Sequence, residues 1–426
     1  MNVELAYGRH GLHVDVPEDA VVIRPVEVPG LPDEAAAIDA ALAQPIAAPG
    51  AATVPLRDLV KPTDRVVVVF SDITRPMPSD RALPPLLRLL DGVVPREQIT
   101  LLNGLGTHRA NSPEELEGML GRDIVNHYRV AQSDAWATDD LVDLGRTRFG
   151  HRAVVNRQYL EADVRILTGF IEPHLFAGFS GGPKAVLPGI AGIDAIMDNH
   201  GYAMLNHPQA TWGQTEGNPV WEEMREVALM TRPSFLLNVT LNRHRQITGV
   251  FAGDMVAAHR AGVEAVRRTA MVGVEAPFDV VLTTNSGYPL DINLYQAVKG
   301  MSAAAQIVKQ GGDIVIAAEC RDGVPDYGEY RRLVHEGGSL EGIVDLISQP
   351  GFHCHDQWEA QLQVQVQQKA TVHVHSSYLP DDEVRGMLFE PCHDVEATVA
   401  DLLRRHGPGA RLCVLPEGPQ TIPYLA

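Results

Sequence analysis

Val164-Arg165-Ile166-Leu167-Thr168-Gly169-Phe170-Ile171-Glu172-Pro173-His174-Leu175-Phe176-Ala177-Gly178-Phe179-Ser180-Gly181-Gly182-Pro183-Lys184-Ala185-Val186-Leu187-Pro188-Gly189 is the stretch on which the fold turns. Its opening apolar run, Val164 to Leu167, has the length and composition of a buried strand. The segment from Gly169 to Gly189 holds one His, one Lys and five Gly, and is too Gly/Pro-rich for a regular helix. A loop leaving the end of a strand is where an open α/β sheet binds ligands. A Lys fixed on such a loop serves as a charge or as a covalent anchor. The segment therefore reads as a site for a phosphate-bearing or covalently held cofactor.

Working outward, apolar runs alternate with helical segments. Arg65 to Phe70 reads as a strand covered on both faces, followed by a helix from Arg81 to Leu90. Ile99 to Leu102 is the next strand. Ser112-Pro113-Glu114-Glu115 starts a helix, with Ser at the N-cap, Pro at the first helical position and Glu two residues on. Phe235 to Leu241 is a further strand. A second group begins near residue 277, with strands at Asp279–Thr284, Asp313–Ala318, Thr371–Val374 and Arg411–Leu415. Met301 to Lys309 reads as a helix stopped by Gly311-Gly312. Strands separated by helices imply parallel sheets with right-handed crossovers. The expectation is two α/β domains with mainly parallel sheets and an active-site cleft between them. The first covers residues 1–264 and the second 275–406, with 265–274 and 407–414 as connecting segments. The tail, about residues 415–426, is free to return to the first domain. Met255 to Thr269 reads as the helix joining the two groups.

Composition narrows the function. The chain has 426 residues, 45% of them apolar, which suffices for two real cores. Its 35 basic and 54 acidic residues leave a formal charge of −19. So acidic a chain is a poor binder of nucleic acid or anionic membranes, and no apolar run spans a bilayer. Met1 to Val16 lacks the basic and apolar regions of a secretory signal. Four widely spaced cysteines form no Cys-x-x-Cys pair. A reduced, cytoplasmic protein is the economical reading.

Three further segments carry chemistry-bearing residues. Ser71-Asp72-Ile73-Thr74-Arg75-Pro76 follows the first strand directly. There Asp72 is placed to hold ribose hydroxyls, and Arg75 to pair with a carboxylate or phosphate. The plain alternative is an Asx turn with a surface ion pair. Gly104-Leu105-Gly106-Thr107-His108-Arg109 puts a His at a strand end, suited to proton transfer near neutrality, or simply a loop histidine. Tyr288 to Gly300 opens the second domain's first helix, where Tyr295 and Lys299 share a face with Gln296 beside them. The glycines around Lys184 do not match a P-loop, because Ala185 stands where the Mg²⁺-binding hydroxyl belongs. His200 alone is a poor metal site unless a cofactor supplies the other ligands. His353-Cys354-His355 and His373-Val374-His375 hold metal-capable groups without an established zinc spacing.

Taken in order, these segments resemble the nickel-dependent lactate racemase family. The matching pieces are Ser71 to Pro76, Gly106-Thr-His108-Arg109, the block from Gly169 to Gly192, Asn199-His200, and Phe251 to Met255. They continue with Gly287 to Asp291, Tyr295 to Met301, and Asp356-Gln-Trp358, so the likeness covers nearly the whole chain.

The resemblance implies a nickel cofactor, Ni(II)-pyridinium-3,5-bisthiocarboxylic acid mononucleotide (the nickel pincer), attached covalently to Lys184. It implies His200 as the protein's nickel ligand, and Asp72, Ile73, Thr74 and Arg75 around the nucleotide. It implies His108 and His174 as paired acid/base groups, and Arg75, Tyr295, Gln296, Lys299 and Trp358 as substrate-binding residues. The reaction implied is inversion at C2 of a 2-hydroxy acid by reversible hydride transfer, which avoids the carbanion that a neighbouring carboxylate destabilises. Partners implied are the small-molecule 2-hydroxy acid and the cofactor-making enzymes, with a homo-oligomer left open. Ile73, Pro183 and the Gly-Leu-Gly-Thr loop before His108 depart from close lactate-specific relatives, so the substrate is lactate or a related acid. The competing readings are a nicotinamide-dependent 2-hydroxyacid dehydrogenase, which lacks its Gly-x-Gly-x-x-Gly fingerprint here, and a non-catalytic ligand-binding homologue.

Overall fold

The computed structural model describes residues 1–426, which divide into two compact units. One comprises residues 27–200 and 209–267; the other comprises 1–26, 201–208 and 268–426.

The first unit is built on β1 (Val66–Ser71), β2 (Ile99–Gly104), β3 (Arg129–Gln132), β4 (Val164–Phe170), β5 (Phe235–Leu241) and β6 (Ile247–Gly253). These lie in the order β6-β5-β4-β1-β2-β3, all parallel except β6 against β5. β1 is buried along its first five residues, which is why it reads as an unbroken apolar run. Register fixes the working edge: Ser71 pairs with Gly104 and Phe170 with Val239, so the loops after β1, β2 and β4 leave the sheet on one side. The core gathers Val66, Val68, Phe70, Leu83, Leu86, Leu101, Ile166 and Leu237. α1 (Ser79–Asp91) and α2 (Pro113–Leu120) belong to this unit. Ser112 and Glu115 form the expected capping box on α2, with Pro113 in the first turn.

The second unit is an all-parallel sheet of β7 (Phe278–Thr284), β8 (Val308–Ala317), β9 (Ala370–His375), β10 (Glu390–Pro391) and β11 (Leu412–Leu415). Its order is β10-β9-β8-β7-β11, closed at the β11 edge by the two-residue strand Val21–Val22.

Three expectations are corrected. The opening 26 residues belong with the C-terminal unit, because Val21–Val22 pairs with β11 and Leu5 and Val14 enter its core. The tail stays in that unit as well: Ile422–Leu425 pairs in parallel with Met271–Val274. Finally, the helix expected over Met301–Lys309 runs from Leu294 to Ala305, capped by Asn293. Gly311-Gly312 then lies inside β8, where the pairing with β7 shifts register. The joining helix, Met255–Ala270, extends one residue beyond its expected end.

Candidate active site

The loop after β1 holds a buried carboxylate. Asp72 Oδ2 lies 2.9 Å from His108 Nδ1, and Thr74 Oγ1 is 3.1 Å from both Asp72 oxygens. Burial alone would raise the Asp72 carboxyl, but the His108 hydrogen bond and charge, with Arg75, hold it below its ordinary value. An ionised Asp72 accepts, so the His108 proton facing it sits on Nδ1 and the basic lone pair of the neutral ring is on Nε2. His174 is arranged the other way: Ala177 N donates to its Nδ1 at 3.3 Å, which places the proton of the neutral ring on Nε2. The two sequence-predicted histidines therefore present opposite Nε2 chemistry, one proton-accepting and one proton-donating.

Lys184 sits on a single-turn 3-10 helix, Gly182–Ala185. Two glycines make that turn possible. Gly181 (φ +75°) and Gly182 (φ +54°) are in the left-handed region, and added Cβ atoms would fall 2.7 Å from Asn238 Oδ1 and 2.6 Å from the His259 ring. Buried Asn238 accepts from Gly182 N at 2.8 Å, and buried His259 meets Ser180 O at 2.9 Å through Nε2. The far end is tied to the His108 loop, since Gly106 N donates to Gly189 O at 2.9 Å. Desolvation, helped by the Arg75 charge and opposed by Glu172, pulls the Lys184 amine down to about 7. Part of the side chain remains accessible. It is a near-neutral amine within reach of a reagent.

Phe176 gathers the group. Its ring centroid is 4.6 Å from His174, 5.1 Å from His200 and 5.7 Å from Lys184 Nζ. His200 caps α3 (Ile193–Asn199), is 6% exposed and meets Ile196 O through Nδ1 at 3.1 Å. Burial and the Lys184 charge push it down to about 3, so the imidazole is neutral, with its lone pair on Nε2. Preceding it, buried Asn199 donates to Glu223 Oε2 at 3.0 Å, and Glu223 also accepts from Thr147 and meets His151. Such an anchored imidazole suits a metal whose other donors come from a cofactor.

In the C-terminal unit, Tyr295, Gln296 and Lys299 share one partly accessible face of α4 (Leu294–Ala305). Lys299 Nζ donates to Gln296 Oε1 at 2.7 Å, and Trp358 Nε1 donates to the Tyr295 hydroxyl at 3.2 Å. All four thus form one cluster within that unit. Arg109 pairs with Glu115 on both nitrogens (2.8 and 2.6 Å). The tempting histidine pairs separate: His373 meets Asp313, His375 meets Cys392 O, and His355 meets Asp356. No group of three His, Cys, Asp or Glu side chains is arranged to hold a metal.

Several supporting residues escaped the sequence reading. Phe176 lay inside the quoted loop without a role. Asn238 carried a signal, a lone amide inside the apolar strand Phe235–Leu241. His259 and Glu223 lie on helices where nothing local marks them.

A desolvated amine, a neutral imidazole and two further histidines on loops after strands of a parallel sheet make this the candidate site of an α/β enzyme. The chain matches the models of the lactate racemase N-terminal domain over residues 7–213 and the lactate racemase C-terminal domain over 274–422. It is 37% identical to the lactate racemase of Lactiplantibacillus plantarum over 368 residues, 85% of this chain and 86% of that one. It is 33% identical to the lactate racemase of Thermoanaerobacterium thermosaccharolyticum over 431 residues, 99% of each. The lactate racemase apoprotein structure from the latter organism superposes with a TM-score of 0.90 at 32% identity, covering 99% of this chain and 100% of that one. A Thermotoga maritima protein shares the fold at TM-score 0.66 and 21% identity, over 87% of this chain and 96% of that one. The chain belongs to the lactate racemase family and is an isomerase of the racemase class. No helix is long and apolar enough to cross a membrane.

Proposed function

We propose that the chain racemises lactate or a closely related 2-hydroxy acid with a nickel-pincer nucleotide carried on Lys184. One observation carries the reading: the Phe176 ring gathers the Lys184 amine (5.7 Å) and buried His200 (5.1 Å), in surroundings whose burial disfavours the charged form of both. Forming an amide or thioamide link needs an unprotonated amine, and binding nickel through one side chain needs an unprotonated imidazole. At neutral pH the imidazole is unprotonated and about half of the amine is, within one group built on Phe176. Lys184 would hold the cofactor covalently, His200 would ligate nickel, and the Asp72–Arg75 segment would face the nucleotide.

When bound, that group supplies a reversible hydride acceptor for the C2 hydrogen. The chain's own residues manage the proton and the carboxylate. His108 Nε2 accepts the hydroxyl proton of one enantiomer while Asp72 steadies the resulting imidazolium. His174 is the other member of the acid/base pair: its neutral Nε2–H donates a hydrogen bond to the substrate oxygen, and it delivers a proton only from the imidazolium form, which gives up the Ala177 contact. Arg75, Gln296 and Lys299 would serve the carboxylate, with Tyr295 nearby, and Trp358 would shape the pocket. This reading implies loading by separate cofactor-making enzymes and a cytoplasmic setting.

The test is intact mass and nickel content of protein co-produced with those enzymes. Wild type should carry a nucleotide-sized adduct and about one nickel per chain. Lys184→Ala should lose both, and His200→Ala should keep the adduct while losing nickel. A wild-type protein with neither, under those conditions, overturns the reading.

A further inference from the structure

Asp356 stands out among the residues not assigned above. It is the N-cap of α5 (Gln357–Gln367), the helix that carries Trp358, yet its side chain makes no capping bond. An Asp at this position ordinarily has extended backbone and accepts from the next turn. Here the backbone is left-handed, φ +66° and ψ 4°, where a non-glycine residue is strained. The residue is 6% exposed. It therefore forgoes both local rewards of its position, and its carboxylate is directed elsewhere.

The partners show where. Asp356 Oδ1 accepts from the Tyr295 hydroxyl at 3.2 Å, and Oδ2 accepts from Glu329 N at 3.0 Å. His355 Nδ1 lies 3.2 Å from Oδ2. Trp358 Nε1 donates to the Tyr295 oxygen at 3.2 Å. An indole N–H can only donate, so the Tyr295 oxygen accepts from Trp358 while the Tyr295 hydroxyl donates to Asp356 Oδ1. The chain Trp358→Tyr295→Asp356 consequently has one possible direction. Gly328 keeps the space open: a Cβ there would fall 2.1 Å from Asp356 Oδ2.

We propose that Asp356 is a positioning residue of the substrate pocket, fixing Tyr295 and Trp358 through this one-way relay. The proposal rests on the reading of those two residues as substrate-binding. It adds a statement about chemistry: the Tyr295 and Trp358 protons are both committed within the protein. Tyr295 then offers a substrate a lone pair, suited to a hydroxyl, and not a proton for the carboxylate. Within this unit the carboxylate is left to Lys299 and the Gln296 amide.

The test uses the nickel-loaded holoenzyme with L-lactate, comparing wild type, Asp356→Asn, Asp356→Gly, Tyr295→Phe and the Asp356→Asn/Tyr295→Phe double variant. Asp356→Gly is the informative case, because glycine suits φ +66° and a residue that merely made the turn would be replaced without loss. The expected result is a KM for lactate raised about ten-fold in both Asp356 variants, the worth of one hydrogen bond to a charged group. Nickel content, adduct mass and Tm of Asp356→Gly should stay at wild-type levels. In the Tyr295→Phe background, Asp356→Asn should add less than about two-fold, because its route is already cut. The proposal is overturned if Asp356→Gly keeps a wild-type KM, or if Asp356→Asn costs the same with and without the Tyr295 hydroxyl. Should loaded wild type leave lactate unchanged, the function reading fails instead, and the relay is judged by Trp358 fluorescence. Emission is taken as the difference from Trp358→Phe; a shift in Asp356→Gly supports the relay, and an unchanged spectrum overturns it.

Discussion

Lys184 should titrate far below an ordinary lysine in the protein without cofactor. Burial lowers its amine from 10.5 to about 7, with the Arg75 charge adding to the effect and Glu172 opposing it. At pH 8 about nine-tenths of such an amine is neutral, against about 0.3% of an unperturbed one, a ratio on the order of 300. A less basic amine is also a weaker nucleophile, so absolute rates understate that ratio, but the pH midpoint of the reaction is unaffected. The assay is competitive acylation with a small amine reagent from pH 5 to 11, read by peptide mass spectrometry. Only five lysines are present (Lys61, Lys184, Lys299, Lys309 and Lys369), so each is followed separately. Lys184 should label with a midpoint near 7, and Lys369, lowered by burial alone, should also fall below the ordinary lysine value. Arg75→Ala should raise the Lys184 midpoint, by less than burial lowers it. A Lys184 midpoint near 10, or one unmoved by Arg75→Ala, would refute the electrostatic account of the anchor.

Three other outcomes follow from the geometry. Asp72→Asn leaves His108 without its charged partner and should lower kcat on the order of 100-fold with little change in Tm, measured by steady-state racemisation and calorimetry. Buried Glu359, pushed up to about 8 by desolvation and Asp356 against the Lys299 charge, keeps a proton in the fold that the unfolded chain loses near 4.5. Its contribution to stability therefore falls as pH rises between those values, and Glu359→Gln should gain Tm relative to wild type from pH 5 to pH 8. Gly300→Ala would place a Cβ 2.1 Å from Thr284 O, where α4 packs on β7, and should cost about 1–3 kcal/mol in denaturant unfolding.

What the sequence showed depended on how local each signal was. The strand Phe235–Leu241 was legible to the residue and β1 within one, because strands buried on both faces are written as unbroken apolar runs. The α2 cap was legible because its whole vocabulary fits in four residues. The first 26 residues were not, because Val21–Val22 finds its partner at Cys413 and Val414, almost the full chain away. The end of α4 was misplaced because Gly311-Gly312 reads as a helix stop, while in three dimensions it marks a register shift in β8. Among the candidate site residues, His108, His174 and Lys184 stood out by type and loop context, while His200 was picked out only by the family resemblance. Their supports were harder to see: Asn238 showed only as a lone amide in an apolar strand, Phe176 lay unremarked in the loop, and His259 and Glu223 matter through contacts between distant segments.

Those supports explain how one fold can disfavour the charged forms of an amine and an imidazole, the amine feeling the charge of an exposed arginine. Burial lowers both Lys184 and His200, and each also feels a neighbouring positive charge: Arg75 for the lysine, the lysine for the histidine. Such an arrangement disfavours protonation but is costly to hold, since like charges and desolvated polar groups push a loop outward. The loop stays because its backbone is pinned by Asn238 and His259 at one end and by Gly106 at the other, and because Phe176 packs against the rings it must keep dry. None of those pins carries a charge at neutral pH; His259, pushed down to about 4 by burial, is itself neutral. A charged pin would have shifted the very groups it holds. The neutrality of the clamp is thus as much a requirement of the site as the basicity of His108.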